Sequence, residues 1–363
     1  MATTDGYRRL GRSLFSPGRA DDFARIAVAR RYVTDAQIRE CGASAAQELL
    51  KRGLISADQL LTVLQIQNGD LRWCERCDGD YDPRVLIGCP ACDGDGGARI
   101  GRYRVRREVA RGGMGVVLEA EDPDTGRRVA LKVIPEREAG LQEIERLRRE
   151  AKIARRLQHP NIVRIYEMDM ARDPSGGPLH YLVMDFVEGR TLGQVMRDGD
   201  RPRSLGLLLQ VAGAVAYAHA QGVLHRDLKP SNVIVANSGL AVLADFGLAR
   251  DSSTGTMLTP THAVMGTAQY MAPEQVMGVT RHIDARTDVY ALGVMLYEIA
   301  AGRLPFVAPA QDQLFDLILK TDPAPLEDPD LAPVCLRALR KDPRARYVDG
   351  GDFARALRAA LRE

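Results

Sequence analysis

The sequence predicts an α+β protein, in which a β-rich block passes into a mainly helical one behind a small helical segment and a cysteine knuckle. Three observations predict it. Residues 1–72 carry helical patterning with a weak internal repeat, residues 73–101 hold two CxxC pairs, and from Arg102 short β-rich runs give way to helices. A chain of 363 residues is too long for one ordinary domain, and two or three are expected. With 45% apolar and 27% charged residues it can bury a large core, which excludes a mostly disordered chain. Fifty Lys and Arg against 48 Asp and Glu leave a formal charge of +2, so neither a nucleic acid nor a membrane surface is an expected partner. Only six of the basic residues are Lys (51, 132, 152, 229, 320 and 341), and each is worth inspecting. The opening residues lack a secretory apolar stretch. The greasiest segments, Leu205–Ala218 and Val289–Ala301, fall short of the roughly 20 residues that span a bilayer. A soluble, cytoplasmic chain without a membrane span is expected.

In the helical segment, Val33–Ile38 aligns with Ile55–Leu60 at a period of 22. Each copy carries a capping box, Thr34-x-x-Gln37 and Ser56-x-x-Gln59, in which hydroxyl and amide satisfy free backbone groups at a helix start. Gly53 stands where the preceding helix would end in a left-handed conformation; the first copy has Arg31 there, at a cost of about 1 kcal/mol if the geometry is kept. Two helix pairs packed on one another explain the repeat. The segment loosely resembles the small helical N-terminal domains of secretion and pilus-assembly ATPases, some of which sense a cyclic dinucleotide, but the Arg-Leu-Gly opening of those repeats is missing. A regulatory module that docks a protein or a small ligand is the expectation for 1–72.

Residues 73–101 hold Cys74-Glu-Arg-Cys77 and Cys89-Pro-Ala-Cys92, with 11 residues between the pairs. Each CxxC loop presents two thiolates, and two loops complete a tetrahedral structural Zn²⁺ site with no open position for water. The following Asp78-Gly79-Asp80 and Asp93-Gly94-Asp95-Gly96 make the pairs resemble the half-sites of zinc-binding co-chaperones. A redox dithiol is the rival reading. Cys41 and Cys335 stand apart and are expected to be buried thiols.

From residue 102 to 363 the strands come first: Tyr103–Ala110, Gly115–Ala120 and Arg128–Ile134, with Asp122-Pro-Asp-Thr-Gly126 as a turn between two of them. Ala110-Arg-Gly112-Gly113-Met-Gly115-Val-Val117 is a glycine-rich hairpin whose backbone amides can approach phosphates. Lys132 sits mid-strand in Val129-Ala-Leu-Lys132-Val133, where a buried ammonium needs an anion. A helix over Leu141–Gln158 offers Glu150 as the best-placed carboxylate. There follow His225-Arg226-Asp227-Leu228-Lys229-Pro230-Ser231-Asn232 and, after the strand-like Leu240–Ala244, Asp245-Phe246-Gly247. Each piece alone is commonplace; their joint occurrence in this order is not.

On these motifs residues 102–363 are identified as a member of the eukaryotic-like (Hanks-type) serine/threonine protein kinase family. Gly112-Gly113-Met114-Gly115, His159-Pro-Asn-Ile-Val163 and Gly266–Gln275 resemble its bacterial branch. The resemblance implies a bilobal kinase fold, with a β-rich N-lobe and a helical C-lobe, and ATP- and Mg²⁺-dependent phosphoryl transfer to Ser/Thr hydroxyls of protein substrates. It implies that Ala110, Gly112, Gly113 and Gly115 cover the phosphates and that Val117 and Ala130 sandwich the adenine, while Met184, Asp185 and Val187 form gatekeeper and hinge. Lys132, held by Glu150, takes the α/β-phosphates; Asn232 and Asp245 bind Mg²⁺; Asp227 accepts the substrate proton; Lys229 sits near the γ-phosphate; Thr267 hydrogen-bonds Asp227 and Lys229. Asp288 is expected to brace the catalytic loop, and Glu274 with Arg346 to form a C-lobe ion pair. Ala110 replaces the first glycine of the phosphate loop, a departure of one methyl group. Arg226 beside Asp227 implies self-association and trans-autophosphorylation in the loop 250–265, at Ser252, Ser253, Thr254, Thr256, Thr259 or Thr261, with Thr259 and Thr261 favoured. The alternative is a pseudokinase-like nucleotide-binding scaffold acting through residues 1–100.

Overall fold

The computed structural model describes residues 17–41, 45–67, 71–74, 80–83, 85, 86, 89, 92, 98–112, 115–135, 140–246, 268–278 and 283–362. Cys77, Gly113, Gly247, Gly266, Thr267 and all the candidate phosphorylation sites lie outside them. The chain divides into two compact units, one drawn from Met1–Val109, Leu118–Arg127 and Met170–Leu179, the other from Ala110–Val117, Arg128–Asp169 and His180–Glu363.

The first unit opens with α1 (Pro17–Ala29), α2 (Asp35–Cys41), α3 (Ala45–Lys51) and α4 (Ala57–Gln67). Their shared core is Phe23, Ala27, Val33, Leu49, Ile55 and Val63. Both capping boxes form: Gln37 and Thr34 exchange bonds at 2.8 and 3.3 Å, Gln59 and Ser56 at 2.8 and 3.1 Å. The turns before them are also alike. Tyr32 N–H reaches the Ala27 carbonyl at 3.0 Å and Leu54 N–H the Leu49 carbonyl at 2.9 Å, the five-residue closure of a helix that ends in a left-handed residue. That residue is Arg31 (φ 56°) in one copy and Gly53 (φ 69°) in the other.

A two-residue ladder follows, β1 (Arg72–Trp73) antiparallel to β2 (Asp80–Tyr81). Arg30, at the end of α1, donates to Asp80 Oδ2 and to the Tyr32 hydroxyl, both at 2.9 Å, with its side chain only 8% exposed. The helices and the cysteine segment are therefore tied within this unit.

Six strands make one sheet: β3 (Arg99–Ile100), β4 (Tyr103–Gly112), β5 (Gly115–Glu121), β6 (Arg128–Pro135), β7 (Ile165–Arg172) and β8 (Pro178–Asp185), in the order β3-β4-β5-β6-β8-β7. The three expected strands are present, and the expected turn closes through Asp122 N–H to the Arg127 carbonyl at 2.9 Å with Gly126 at φ 65°. Strand β8 is buried along Leu179–Met184, as its unbroken apolar run demands. Helix α5 (Leu141–Ala154) enters between β6 and β7. It stops four residues before the expected Gln158, because the amides of Arg156 and Leu157 turn to carbonyls three residues back and tighten the last turn.

The second unit continues with β9 (Gly189–Thr191), α6 (Leu192–Met196) and α7 (Arg201–Ala220). A 3₁₀ turn at Pro230–Asn232 leads into β10 (Val233–Ala236) and β11 (Ala241–Leu243), which with β9 form a three-stranded sheet in the order β11-β10-β9. Then come α8 (Pro273–Val276), α9 (Ala285–Ala301), α10 (Gln311–Lys320), α11 (Leu331–Ala338) and α12 (Gly350–Leu361). The two greasiest segments of the sequence are α7 and α9, buried around Leu208, Val211 and Val215 and around Val289, Leu292 and Leu296. They are core helices, and among the described residues no helix is long and apolar enough to cross a membrane. The order of elements, a β-rich stretch followed by a mainly helical one, matches the expected α+β fold class.

Candidate active site

The site is built on the loop between α7 and β10. Asp288, buried on α9, accepts the backbone amides of His225 (Oδ2) and Arg226 (Oδ1), each at 2.8 Å. His219 on α7 adds a third bond to Oδ2 at 2.9 Å. Because His219 Nδ1 accepts the Gly350 amide at 3.1 Å, its proton is on Nε2 and is donated to Asp288. Burial raises the Asp288 carboxyl, but the His219 bond, the two nearby imidazoles and the His225 amide outweigh it and hold the group below the usual carboxylate range. A charged Asp288 thus fixes the backbone that leads to Asp227.

His225 carries the order onward. Its Nδ1 accepts the Asp227 amide at 3.2 Å and its Nε2 donates to the Ala244 carbonyl at 2.9 Å. Ala244 N–H returns to the Asn232 carbonyl at 2.9 Å. The catalytic-loop candidate and the strand before Asp245 are thereby cross-linked. Three polar side chains then meet: Lys229 Nζ lies 2.8 Å from Asp227 Oδ2, and Asn232 Nδ2 donates to the same oxygen at 3.0 Å and to the Asp227 carbonyl at 2.8 Å.

Lys132 projects from β6 to Asp245 Oδ1 at 2.7 Å and is 12% exposed. Burial raises the Asp245 carboxyl, but the charge and hydrogen bond of Lys132, with His225 and Lys229 beyond, hold it below its ordinary value. The expected Lys132–Glu150 pair is not formed. Glu150 takes the guanidinium of Arg146, one turn earlier on α5, at 3.1 Å. The two carboxylates compete for one ammonium, and in this arrangement Asp245 has it.

The remaining nucleotide-site candidates lie where their strands place them. Gly112 ends β4 and Gly115 opens β5, with Ala110 and Val117 on the two arms. Gly115 has φ 135°, and a Cβ there would stand 2.0 Å from the Val133 carbonyl oxygen, so the hairpin passes too close to β6 for any side chain. Ala130 and Met184 are buried, and Met184 lines a cavity of about 10 Å³ with Leu157, Leu182, Asp245 and Phe246. Asp185 ends β8 and accepts the Tyr166 hydroxyl; Val187 follows two residues on.

A match to the protein kinase domain covers residues 103–346. The chain belongs to the protein kinase family. Among curated relatives, it is 39% identical over 267 residues to serine/threonine-protein kinase PknA of Mycobacterium tuberculosis, covering 71% of this chain and 61% of that protein. It is 38% identical over 264 residues to serine/threonine-protein kinase PknB of Mycolicibacterium smegmatis (69% and 42%). It is 36% identical over 278 residues to serine/threonine-protein kinase pkn2 of Myxococcus xanthus (72% and 32%). The chain therefore spans about three fifths or less of the length of these relatives.

The expected ion pair is present and bidentate: Arg346 Nη1 and Nη2 meet Glu274 Oε1 and Oε2 at 2.8 and 2.9 Å, both side chains buried. Arg346 also donates to the carbonyls of Arg340, Lys341 and Arg286. The sequence reading missed His219 and Arg146. Each had a signal: a His one helical turn from the start of the catalytic loop, and a cation at i−4 from the helix carboxylate.

Of the four candidate zinc ligands, Cys74, Cys89 and Cys92 come together, with their sulfurs all within 4.8 Å and Cys74 and Cys92 at 3.6 Å. Zn–S bonds of about 2.3 Å set the edge of a tetrahedron at about 3.8 Å, so the spacing fits a thiolate-bound zinc ion. Cys335 is a buried thiol, as expected, and burial pushes it up; Cys41 is half-buried.

Proposed function

We propose that the chain is a serine/threonine protein kinase that transfers the γ-phosphate of ATP to Ser/Thr hydroxyls of proteins. One observation carries the reading: Lys229 and Asn232 converge on a single carboxylate oxygen of Asp227, with Asp245 held one strand away. A carboxylate fixed in this way orients a hydroxyl and takes its proton, while the neighbouring ammonium of Lys229 offsets charge on the transferring group. The Asn232 amide nitrogen faces Asp227, which leaves Oδ1 as an oxygen donor; with the Asp245 carboxylate it makes a hard, oxygen-only set that suits Mg²⁺. Magnesium bound there supplies charge neutralisation for the phosphates. Lys132 serves the α/β-phosphates once it exchanges Asp245 for Glu150. The glycine hairpin, Val117, Ala130, Met184, Asp185 and Val187 receive ATP.

The same proposal gives residues 1–72 a docking role, for a protein or a small ligand, and 73–101 a structural zinc knuckle of Cys74, Cys77, Cys89 and Cys92, ahead of the kinase domain at 102–363. Free thiols and the need for ATP favour the cytoplasm as its site of action. Arg226 supports autophosphorylation between copies, in the loop 250–265.

The test is transfer from γ-labelled ATP to the protein itself and to a generic basic protein, with Mg²⁺ or EDTA, beside Asp227→Asn. Transfer that requires Mg²⁺ and falls at least about 10²-fold in the variant is expected. ATP binding without transfer would sink the reading.

A further inference from the structure

Gln275, the third residue of α8, bonds to two backbones at once. Its Nε2 donates to the Arg226 carbonyl at 2.8 Å, and its Oε1 accepts the Ala272 amide at 3.0 Å. Neither bond can be inverted, because one partner is a carbonyl and the other an N–H, so the side-chain amide has a single orientation. The Arg226 carbonyl belongs to the peptide group that enters Asp227. The N–H of that same group is bound by His225 Nδ1. Arg226 itself is left-handed, φ 66°, a conformation that a residue with a side chain keeps only where its surroundings hold it. Asp288 holds the Arg226 amide on one side of that turn, and Gln275 holds its carbonyl on the other.

We infer that Gln275 is a positioning residue for phosphoryl transfer: it fixes the plane of the Arg226–Asp227 peptide and with it the direction in which the Asp227 carboxylate points. The inference rests on the phosphotransferase reading above. The position needs a donor and an acceptor a fixed distance apart, which among side chains of this length only glutamine supplies. Glutamate keeps the acceptor for Ala272 but loses the donor for Arg226 and sets a negative charge against a carbonyl oxygen.

The test uses the full chain as wild type, Gln275→Glu and Gln275→Ala. It reads kcat and the KM for ATP in transfer to a generic basic protein, the melting temperature, and the rate of amide hydrogen exchange over residues 224–231. In Gln275→Glu we expect kcat to fall about ten- to a hundredfold with the KM for ATP nearly unchanged, because misdirection of a reacting group costs rate rather than ground-state binding. The Asp227 amide should exchange faster while the melting temperature is kept. Lowering the pH should restore part of kcat relative to wild type, since a carboxyl facing a carbonyl in a half-buried site holds its proton and donates again. Unchanged kcat and exchange would overturn the inference, as would a loss of kcat that merely follows a loss of melting temperature. Should the Glu variant not fold, the Ala variant gives the same readings, and collapse of both makes Gln275 a structural residue. A wild type that binds ATP without transferring it counts against the phosphotransferase reading; the exchange rates still decide whether Gln275 pins the loop.

Discussion

Lys132 is bonded to Asp245 at 2.7 Å, while Glu150, its expected partner, is bonded to Arg146. In this arrangement the two carboxylates hold different cations, Asp245 the ammonium of Lys132 and Glu150 the guanidinium of Arg146. To receive nucleotide phosphates, Lys132 has to leave Asp245, and the Arg146–Glu150 pair sets part of the cost of that exchange. Helix pairs of this spacing contribute about 0.2–0.5 kcal/mol, so Arg146→Gln should raise ATP affinity by about twofold. Isothermal titration with a non-hydrolysable ATP analogue reads it. Affinity that is unchanged or weaker would mean that Arg146 does not compete for Glu150.

Among the described residues Arg346 is the largest fully buried side chain, and it serves Glu274 and three backbone carbonyls. Removing one member of such a pair leaves the other charge buried, at about 3–5 kcal/mol. Arg346→Met should lower the unfolding free energy obtained from urea melts by that amount. Adding Glu274→Leu should recover only part of the loss, because the carbonyls of Arg340, Lys341 and Arg286 still lose the donor that Arg346 gave them. Full recovery would show that those three bonds contribute nothing.

The knuckle predicts a metal dependence that does not require the enzyme to be active. About one zinc ion per chain is expected by atomic emission, with chelation exposing the four knuckle thiols to titration. Because Arg30 bonds to Asp80, chelation should also lower the thermal stability of α1–α4, read by hydrogen exchange over residues 17–67. Arg30→Met should uncouple the two effects. A metal-free chain with the same exchange pattern would remove the structural role of the cysteines.

Lys341 predicts a shift of stability with pH. Burial pushes its ammonium from 10.5 down to about 8, while it donates to the Ile318 carbonyl at 2.7 Å and lies 4.3 Å from the Phe306 ring. Between those two pH values the unfolded chain keeps a proton that the folded chain has released. Stability at this site therefore rises as the pH goes from about 8 to 10.5. The melting temperature of the wild type should gain on that of Lys341→Met across the window. Parallel curves would show that the amine is not perturbed.

What the sequence made legible follows from how its information is stored. The loop around Asp227, the strand Lys and the Asp245 motif have fixed local spacing, and the fold puts them where that spacing says. The repeat of α1–α4 could also be read, because a capping box is a three-residue signal. The partner of Lys132 could not. Two carboxylates from distant segments, Glu150 and Asp245, satisfy the same demand for an anion, and nothing local chooses between them. His219 and Gln275 were missed for a related reason. Gln275 acts by bonding backbone atoms, which carry no signature in the residue they belong to, and His219 acts on a carboxylate of a distant helix, a partner that its position in the sequence does not name.

The paired turns at Arg31 and Gly53 show how little of that backbone depends on any one residue. One is written with glycine and the other with an arginine that occupies the strained region, yet both close with the same two hydrogen bonds and the same capping box. The shape is over-determined. Such redundancy gives the segment mutational slack: its surface can be recast, turn residues included, while the described helices beneath keep their geometry.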